Sequence, residues 1–185
     1  MDMSADRLVV KYDMDRPADL DALGASFDGI ASEYRRLLER RGLKPSDLDA
    51  KLYLTRIEMG CVEAEIGAAA WALGQTMATM DYALIFADMT DRIKQVLDWA
   101  GRDSAEKPAD LTATECRDLK NFLGAVTGRV KSRLGVRHAR FFKDEETATF
   151  KRRIIAEMSL DEPEIDRADR MLEKEIEDAI IVKIN

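Results

Sequence analysis

Residues 51–66 have the sequence KLYLTRIEMGCVEAEI, and this stretch decides the fold class. Every other side chain from Val62 to Ile66 is apolar, which is the two-residue period of a β-strand. Gly60 separates this arm from a first arm at residues 51–59 and predicts a turn or bulge. We therefore predict a β-hairpin here, with one long bent strand as the alternative.

The rest of the chain alternates between strand and helix patterns. A single strand is predicted at residues 7–13, and a second hairpin from strands at residues 136–143 and 147–156. Apolar residues recur every three or four positions in four further segments, which predicts helices. These segments are residues 17–42, 68–100 (as one helix or two), 112–134 and 159–179.

This order is β-α-β-β-α-α-β-β-α, and its two hairpins break the regular alternation that a doubly wound parallel sheet needs. The predicted fold class is therefore α+β, with a small antiparallel sheet of about five strands and about four amphipathic helices packed on it. The length of 185 residues favours a single domain spanning 1–185.

Short local patterns predict where some of the helices begin and end. Thr112 with Glu115, and Ser159 with Glu162, fit the capping box, in which a hydroxyl accepts from the backbone N–H three residues later. Gly42 fits the end of the first helix, because glycine tolerates the left-handed backbone that commonly terminates a helix.

Charge and cysteine usage predict the cellular setting. The net charge of −7 argues against general nucleic-acid binding driven by the charge of the whole molecule. Cys61 and Cys116 lie far apart, and the acidic N-terminal stretch does not resemble a secretory signal peptide. We therefore expect a cytoplasmic protein without disulfides.

An uncharged run at residues 66–80, IGAAAWALGQTMATM, raises the question of membrane contact. The run is shorter than the roughly 20 residues that a spanning helix needs, and Asp81 closes it. We favour a buried core helix and expect no membrane partner. A membrane-active segment that is released by a conformational change is the alternative.

The sequence contains no recognisable catalytic or metal-binding pattern. His138 is the one histidine, neither cysteine has a partner at C-x-x-C spacing, and phosphate-binding glycine loops are missing. Asp81, Asp88 and Asp91 could form a magnesium site on one helix, but we favour a solvated helix face. We predict no metal, no cofactor and no catalytic residue, and His138 is interpreted as a surface or interface residue.

The strongest local anomaly is the charge of residues 129–153, which we call the basic hairpin. It contains nine basic and three acidic residues, interleaved with phenylalanines. The final helix is rich in acidic residues, so the charges could balance within one molecule or between subunits; binding of phosphate groups is the alternative. The candidate ligand- or partner-binding residues are Arg129, Arg133, Arg137, His138, Arg140, Phe142, Lys151 and Arg153.

The first hairpin and the apolar segment after it resemble a group of small uncharacterised bacterial and prophage proteins. In those proteins a strand ends in Gly-Ser and is followed by a short apolar strand and a hydrophobic helix. Gly60 and Cys61 occupy the Gly-Ser positions here, so Cys61 departs from the pattern. The resemblance implies an accessory protein of a phage or mobile element and implies no reaction.

We therefore expect a non-enzymatic interaction protein that forms homo-oligomers and binds another macromolecule, a protein first, in the setting of phage–host conflict. One alternative is a binder of nucleic acid or a small nucleotide through the basic hairpin, with affinity that falls steeply as salt rises. The other is a membrane-acting effector that uses the apolar helix after residue 66.

Overall fold

A computed structural model describes residues 5–42, 51–58, 62–68, 82–103 and 105–184. Within these residues the strands and helices follow the predicted order, which confirms the α+β class. The strands are β1 (Ala5–Asp13), β2 (Leu52–Glu58), β3 (Val62–Ala68), β4 (Arg133–Lys143) and β5 (Phe150–Asp161). The helices are α1 (Leu20–Arg40), α2 (Tyr82–Arg102), α3 (Ala113–Leu123) and α4 (Glu162–Ile184).

The five described strands form one antiparallel sheet in the order β2-β3-β1-β4-β5. β2 pairs with β3 from Leu52 opposite Ala68 to Glu58 opposite Glu63. This pairing confirms the first hairpin, whose Gly60 lies outside the described residues. β1 comes first in the chain but occupies the centre of the sheet. Its consecutive residues 8–10 are all buried, so both of its faces are covered.

The chain divides into two compact units, and each unit is assembled from three segments of sequence. We call one the sheet unit, which draws on residues 1–11, 34–91 and 135–158. We call the other the helical unit, which draws on residues 12–33, 92–134 and 159–185. The single-domain organisation stays a prediction.

The interior of the sheet unit combines strand residues with aromatic residues from two helices. Tyr34 of α1 stacks on Phe86 of α2, with ring centroids 6.2 Å apart and an interplanar angle of 18°. Burial of such rings supplies much of the driving force for folding. Other buried residues of this interior are Leu8, Val9, Val10, Leu38, Ala64, Ile66, Ile85, Met89, Val136, Ala139 and Met158.

The interior of the helical unit is built around Tyr12. The Tyr12 ring packs edge-on against Phe27 at 6.1 Å and against Phe122 at 6.3 Å between centroids. Its hydroxyl lies 2.6 Å from Ser26 Oγ, and that hydroxyl donates to the backbone carbonyl of Phe122 at 2.8 Å. Around them lie the buried residues Leu23, Ile30, Ile93, Val96, Leu97, Leu119, Leu123, Val126, Ile165, Ala168, Leu172 and Ile176.

Capping confirms two of the predicted helix ends. The backbone N–H of Glu115 donates to Thr112 Oγ1 at 3.2 Å, as the first capping box requires. Gly42 follows α1 with φ of +66°, a conformation that glycine adopts without a steric penalty. The start of α1 is later than predicted, because the Asp19 carboxylate caps the helix by accepting from the N–H of Ala22 at 2.9 Å.

The second predicted capping box was wrong by two residues. Ser159 lies in β5, and the cap is Asp161. The N–H of Glu164 donates to the Asp161 carboxylate at 3.2 Å, and the Asp161 N–H donates to the Glu164 carboxylate at 3.1 Å. This reciprocal pair starts α4 at Glu162.

The helix predicted over residues 112–134 is much shorter in the structure, where α3 ends at Leu123. Gly124 ends the helix, and the chain then turns through left-handed φ angles at Gly128 (+71°) and Lys131 (+56°). β4 therefore begins at Arg133 rather than at residue 136, and β5 covers residues 150–161 rather than 147–156.

Candidate interaction surfaces

The eight candidate residues of the basic hairpin fall in both compact units. Arg129 and Arg133 belong to the helical unit. Arg129 lines an open pocket of about 380 Å³ and donates to the carbonyl oxygen of Pro17 at 3.1 Å. Arg133 is exposed at the first residue of β4. The sheet unit holds the other six, Arg137, His138, Arg140, Phe142, Lys151 and Arg153.

His138 is buried, with 1% of its surface exposed, so its interpretation as a surface residue was wrong. It lies on β4, an inner strand between β1 and β5. Its Nε2 is 2.9 Å from Asp6 Oδ1, and Arg140 Nε donates to the same oxygen at 3.2 Å. The Asp6–His138 contact therefore joins β1 to β4 at a position that is buried from solvent.

The electrostatics of Asp6 follow from these two neighbours. Burial raises the pKa of its carboxyl group, but the hydrogen bonds from His138 and Arg140 and the charge of Arg140 act in the opposite direction and prevail. The pKa of Asp6 is therefore below its ordinary value. A carboxylate that is ionised across the physiological range therefore joins the start of β1 to the middle of β4.

A second charged pair in the sheet unit was not predicted. Arg7 Nη1 donates to Glu65 Oε2 at 2.7 Å, and both side chains are largely buried. The Arg7 guanidinium also lies 4.2 Å from the centroid of the Phe141 ring, a cation–π contact. The alternation of residues 62–66 predicts that Glu65 lies on the face of β3 opposite Val62, Ala64 and Ile66. Its partner Arg7 could not be predicted, because it depends on the position of β1 beside β3 in the sheet.

The outer basic residues of the sheet unit also have acidic partners within that unit. Arg137 Nε lies 3.1 Å from Glu157, and Arg152 Nη1 donates to Glu63 at 2.6 Å. Lys151 pairs with Asp144 in the hairpin turn. Strands and turn therefore supply the balancing charge, and each such exposed pair contributes only ~0–1 kcal/mol.

Arg153 and Phe142 form the remaining candidate pair of the sheet unit. The Arg153 guanidinium lies 5.9 Å from the centroid of the Phe142 ring. Arg153 is exposed and Phe142 is half-buried, so a planar group could reach this pair from solvent.

The acidic residues of α4 form their pairs inside the helical unit. Lys120 donates to Asp169 at 2.8 Å, Lys107 pairs with Glu175, and Arg102 pairs with Glu164. The same hydrogen bonds raise the pKa of Lys120 and of Arg102. These contacts join α4 to α2, to α3 and to the segment between them.

The alternative of a magnesium site on Asp81, Asp88 and Asp91, over which we favour a solvated helix face, receives no support within the described residues. Asp88 pairs with Arg41, Asp91 is exposed, and Asp81 lies outside the described residues. In the described part of the chain, no group of three or more acidic, cysteine or histidine side chains is placed to hold a metal ion.

The uncharged run at residues 66–80 is predicted to be a buried core helix, with a membrane-active segment as the alternative. It falls mostly outside the described residues, which leave out 69–81. None of the helices in the described ranges is both long enough and apolar enough to cross a membrane.

Exposed apolar side chains form a surface on β5, an edge strand of the sheet. Ile154 and Ile155 are 38% and 45% exposed. Successive strand residues point to opposite faces, so an exposed pair of neighbours means that both faces are uncovered. The preference for burying apolar side chains makes this edge a candidate contact surface.

A second apolar surface lies on the last two turns of α4, in the helical unit. Ile165, Ala168, Leu172 and Ile176 form the buried stripe of this helix. Beyond it the helix is apolar on several sides and exposed, with exposed fractions from 47% to 79%. The exposed residues are Ile180, Ile181, Val182 and Ile184.

Comparison with known proteins finds no matching family model, no similar curated protein and no similar solved structure. The resemblance of the first hairpin to prophage proteins therefore stays an expectation.

Proposed function

We propose that this protein is a non-enzymatic interaction protein that self-associates and binds another macromolecule, in the cytoplasm and in the phage-related setting that the resemblance implies. The observation that carries the proposal is the exposure of large apolar side chains at surfaces that include the β5 edge and the end of α4. Exposed apolar groups that lie next to one another mark contact surfaces in many proteins.

The end of α4 is the stronger of the two signals for a macromolecular partner. A helix that is apolar on all sides is normally buried. Burying one aliphatic side chain of this size is worth roughly 1.5–3 kcal/mol. Four such side chains on two turns therefore offer enough free energy to hold a partner that covers them.

The polar side chains support the same conclusion. The Asp6–His138 pair is buried, and Arg137, Arg140, Lys151 and Arg152 all engage carboxylates of their own unit. A charged ligand would have to displace these carboxylates. Contact through apolar surface has no such competitor.

Native mass spectrometry at low and moderate salt tests self-association, because it counts subunits directly. We expect a homo-oligomer whose fraction grows with protein concentration and persists at moderate salt. A protein that stays monomeric over the whole concentration range would contradict self-association.

Partner binding is tested with the double variant Val182→Asp/Ile184→Asp and the matched control Lys183→Glu. All three positions lie beyond the buried stripe, so we expect unchanged unfolding midpoints. Affinity capture with quantitative mass spectrometry should recover one specific protein with the wild type and the control but not with the double variant. Equal recovery with all three proteins would exclude the end of α4 as the contact.

A second candidate function is favoured by one observation, the Arg153–Phe142 pair. An exposed guanidinium beside an aromatic ring can stack a nucleobase and bind a phosphate. This candidate predicts binding of a short single-stranded oligonucleotide that weakens steeply with salt and is lost in Arg153→Ala. Binding of an oligonucleotide that is insensitive to both changes would exclude it.

A further inference from the structure

A long stretch of β5 is exposed to solvent. Residues 151–155 are all exposed, and Glu157 is exposed as well. β5 lies at the end of the strand order, so one of its sides has no neighbouring strand in the described sheet. Such an edge presents unpaired backbone N–H and C=O groups to any strand that can align with it.

Edge strands are commonly protected by charged side chains, and on β5 such side chains lie on both sides of an apolar centre. Lys151, Arg152 and Arg153 precede the two isoleucines, while Glu157 follows them. The centre of the exposed stretch, Ile154 and Ile155, is apolar and uncharged. The charged side chains therefore leave Ile154 and Ile155 accessible, and a second strand that paired here would bury both side chains.

The distribution of charge along β5 favours pairing with a second copy of β5 in the antiparallel direction. Pairing with an identical strand in the parallel direction would bring basic residues beside basic residues. Antiparallel pairing instead brings Arg153 of one copy close to Glu157 of the other, and it does so twice because the contact is symmetric. Glu157 also pairs with Arg137 of its own copy, but its side chain is 60% exposed, so its carboxylate can accept from both guanidinium groups. The strand is thus complementary to itself in one orientation only.

We propose that β5 pairs with β5 of a second copy, antiparallel and across a two-fold axis near Ile155. This rests on the proposed self-association and names its interface. The contact would continue the sheet from one copy into the next and would cover Ile154 and Ile155. A contact of one short strand is smaller than the roughly 800 Å² per partner of a standard interface, so we expect weak dimerisation.

The opposite edge of the sheet provides the competing arrangement. β2 is also an edge strand and also exposes large apolar residues, Tyr53, Leu54 and Ile57. Pairing of β5 with β2 of another copy would be heterologous and would produce open chains of increasing length. Pairing of β5 with itself closes at the dimer, so the size distribution separates the two.

Cysteine cross-linking tests the axis directly, in a Cys61→Ser background that keeps the buried Cys116. In an antiparallel pair, directly opposed residues have Cα atoms about 4.5–5.5 Å apart, within the range for a disulfide. Ile155→Cys should therefore form a disulfide-linked dimer under mild oxidation. Lys151→Cys should not, because copies of residue 151 would be separated by roughly eight strand residues, or about 26 Å.

The outcomes separate the interface from the proposed function. Selective cross-linking of Ile155→Cys supports the axis, and equal cross-linking of both variants overturns it in favour of a parallel pair. If neither variant cross-links while the wild type is oligomeric, self-association stands and the β5 interface is wrong. If the wild type is monomeric, the β5 interface and the proposed self-association both fail.

A charge exchange provides an independent test with three variants, Arg153→Glu, Glu157→Arg and the combination of both. Each single variant places like charges together at both ends of the contact and should weaken dimerisation by roughly tenfold. The combination restores opposite charges and should bring the dissociation constant back near that of the wild type. Additive weakening in the combination would overturn the antiparallel pairing. Both positions are exposed, but Glu157→Arg also removes the pair that Glu157 forms with Arg137 of its own copy. The unfolding midpoint of each variant therefore serves as the control that separates a loss of stability from a loss of dimerisation.

Discussion

The interior of the helical unit and the β5 edge of the sheet unit each contain a residue whose exposure is unusual for its type. In the helical unit, the carboxylate of Glu115 is fully buried and accepts two hydrogen bonds from Arg92. On β5, Ile155 is apolar and exposed. A buried charge and an exposed isoleucine both run against the usual preference of their residue type.

Each exception is explained by what surrounds the residue. Glu115 is tolerated because Arg92 and the start of α3 stabilise its charge. Nothing comparable surrounds Ile155 within the described residues of one copy. Substitutions inside the helical unit are therefore expected to change stability, whereas substitutions on β5 are expected to change assembly. The free energy of unfolding should respond to the first kind of substitution, and the dissociation constant of the oligomer to the second.

The largest effect is expected for Arg92→Ala. The variant removes the guanidinium that donates to Glu115 at 2.5 and 3.2 Å and leaves a buried carboxylate that has lost this partner. Breaking one side of a buried pair typically costs ~3–5 kcal/mol, which urea denaturation would measure as a lower free energy of unfolding.

Lys94→Ala is the matched control for Arg92→Ala, since Lys94 lies on the same helix and pairs with Asp98 at the surface. Its expected cost is only ~0–1 kcal/mol. Equal effects of the two variants would show that the Arg92–Glu115 pair is no more buried in solution than a surface pair.

The next effect concerns close packing in the same unit and compares Gly29→Ala with Gly24→Ala. A Cβ on Gly29 would lie 2.3 Å from the backbone oxygen of Asp118 and 3.2 Å from the N of Phe122. A Cβ on Gly24 would have no heavy atom within 4 Å. Both glycines lie within α1, so the gain in helix propensity is the same.

Gly29→Ala should therefore destabilise by at least ~1–3 kcal/mol, because backbone atoms must move. Gly24→Ala should stabilise by about 0.5–1 kcal/mol, because alanine restricts the unfolded chain and favours the helix. Thermal denaturation of the two variants would resolve opposite signs. Stabilisation by both would mean that α1 and α3 are farther apart in solution.

The order of the elements and the pairing of the first hairpin could be predicted, because both depend on local patterns. The alternation in residues 62–66 and the spacing of three and four in the helices are properties of single segments. The end of α3 could not be predicted in the same way. Val126 and Leu134 continue the helical spacing because they are buried, although they lie beyond the helix.

The surroundings of the candidate site depended on the order of the strands, which no local pattern contains. His138 has an ordinary strand position in the sequence, and only the place of β4 between β1 and β5 buries it. In the same way, the sequence shows the excess charge of the basic hairpin but not that Asp6, Glu63 and Glu157 are its acidic partners.

A smaller effect is expected from Tyr12→Phe in the buried chain from Tyr12 through Ser26 to the carbonyl of Phe122. The loss of one buried hydrogen bond costs about 1 kcal/mol. Ser26→Ala should cost more, because it removes the partner of two groups rather than one. A double-mutant cycle checks this, since the effects of two linked hydroxyls are not additive. Additive effects would contradict the chain.

The effect of Tyr12→Phe on stability should depend on pH. Burial raises the pKa of Tyr12, and the hydrogen bond with Ser26 only partly offsets that effect. The stabilising contribution of Tyr12 is therefore complete below the unfolded pKa of about 10 and falls as pH rises above it. The difference in stability between wild type and Tyr12→Phe should shrink above that pH. A constant difference would mean that the hydroxyl is solvated.

The smallest effect is expected for Asp6→Asn in the sheet unit. Because the folded protein lowers the pKa of Asp6, its stabilising contribution is present above the unfolded pKa of about 3.9 and is lost as pH falls through the folded value. Arg140 is exposed, so solvent screens part of its interaction with Asp6. The variant should therefore lose less than ~1 kcal/mol of stability near neutral pH.

Urea denaturation of Asp6→Asn and wild type across pH 3 to 7 should therefore give a difference that is constant above about pH 5 and shrinks below about pH 4. Glu145→Gln, in the exposed turn between β4 and β5, is the matched control for removing one carboxylate. A difference that grows toward acidic pH would mean that the pKa of Asp6 is raised. In that case the cost of burying the Asp6 carboxylate would exceed the stabilisation from His138 and Arg140. Asp6 would then differ from Glu115, whose buried carboxylate is stabilised by Arg92.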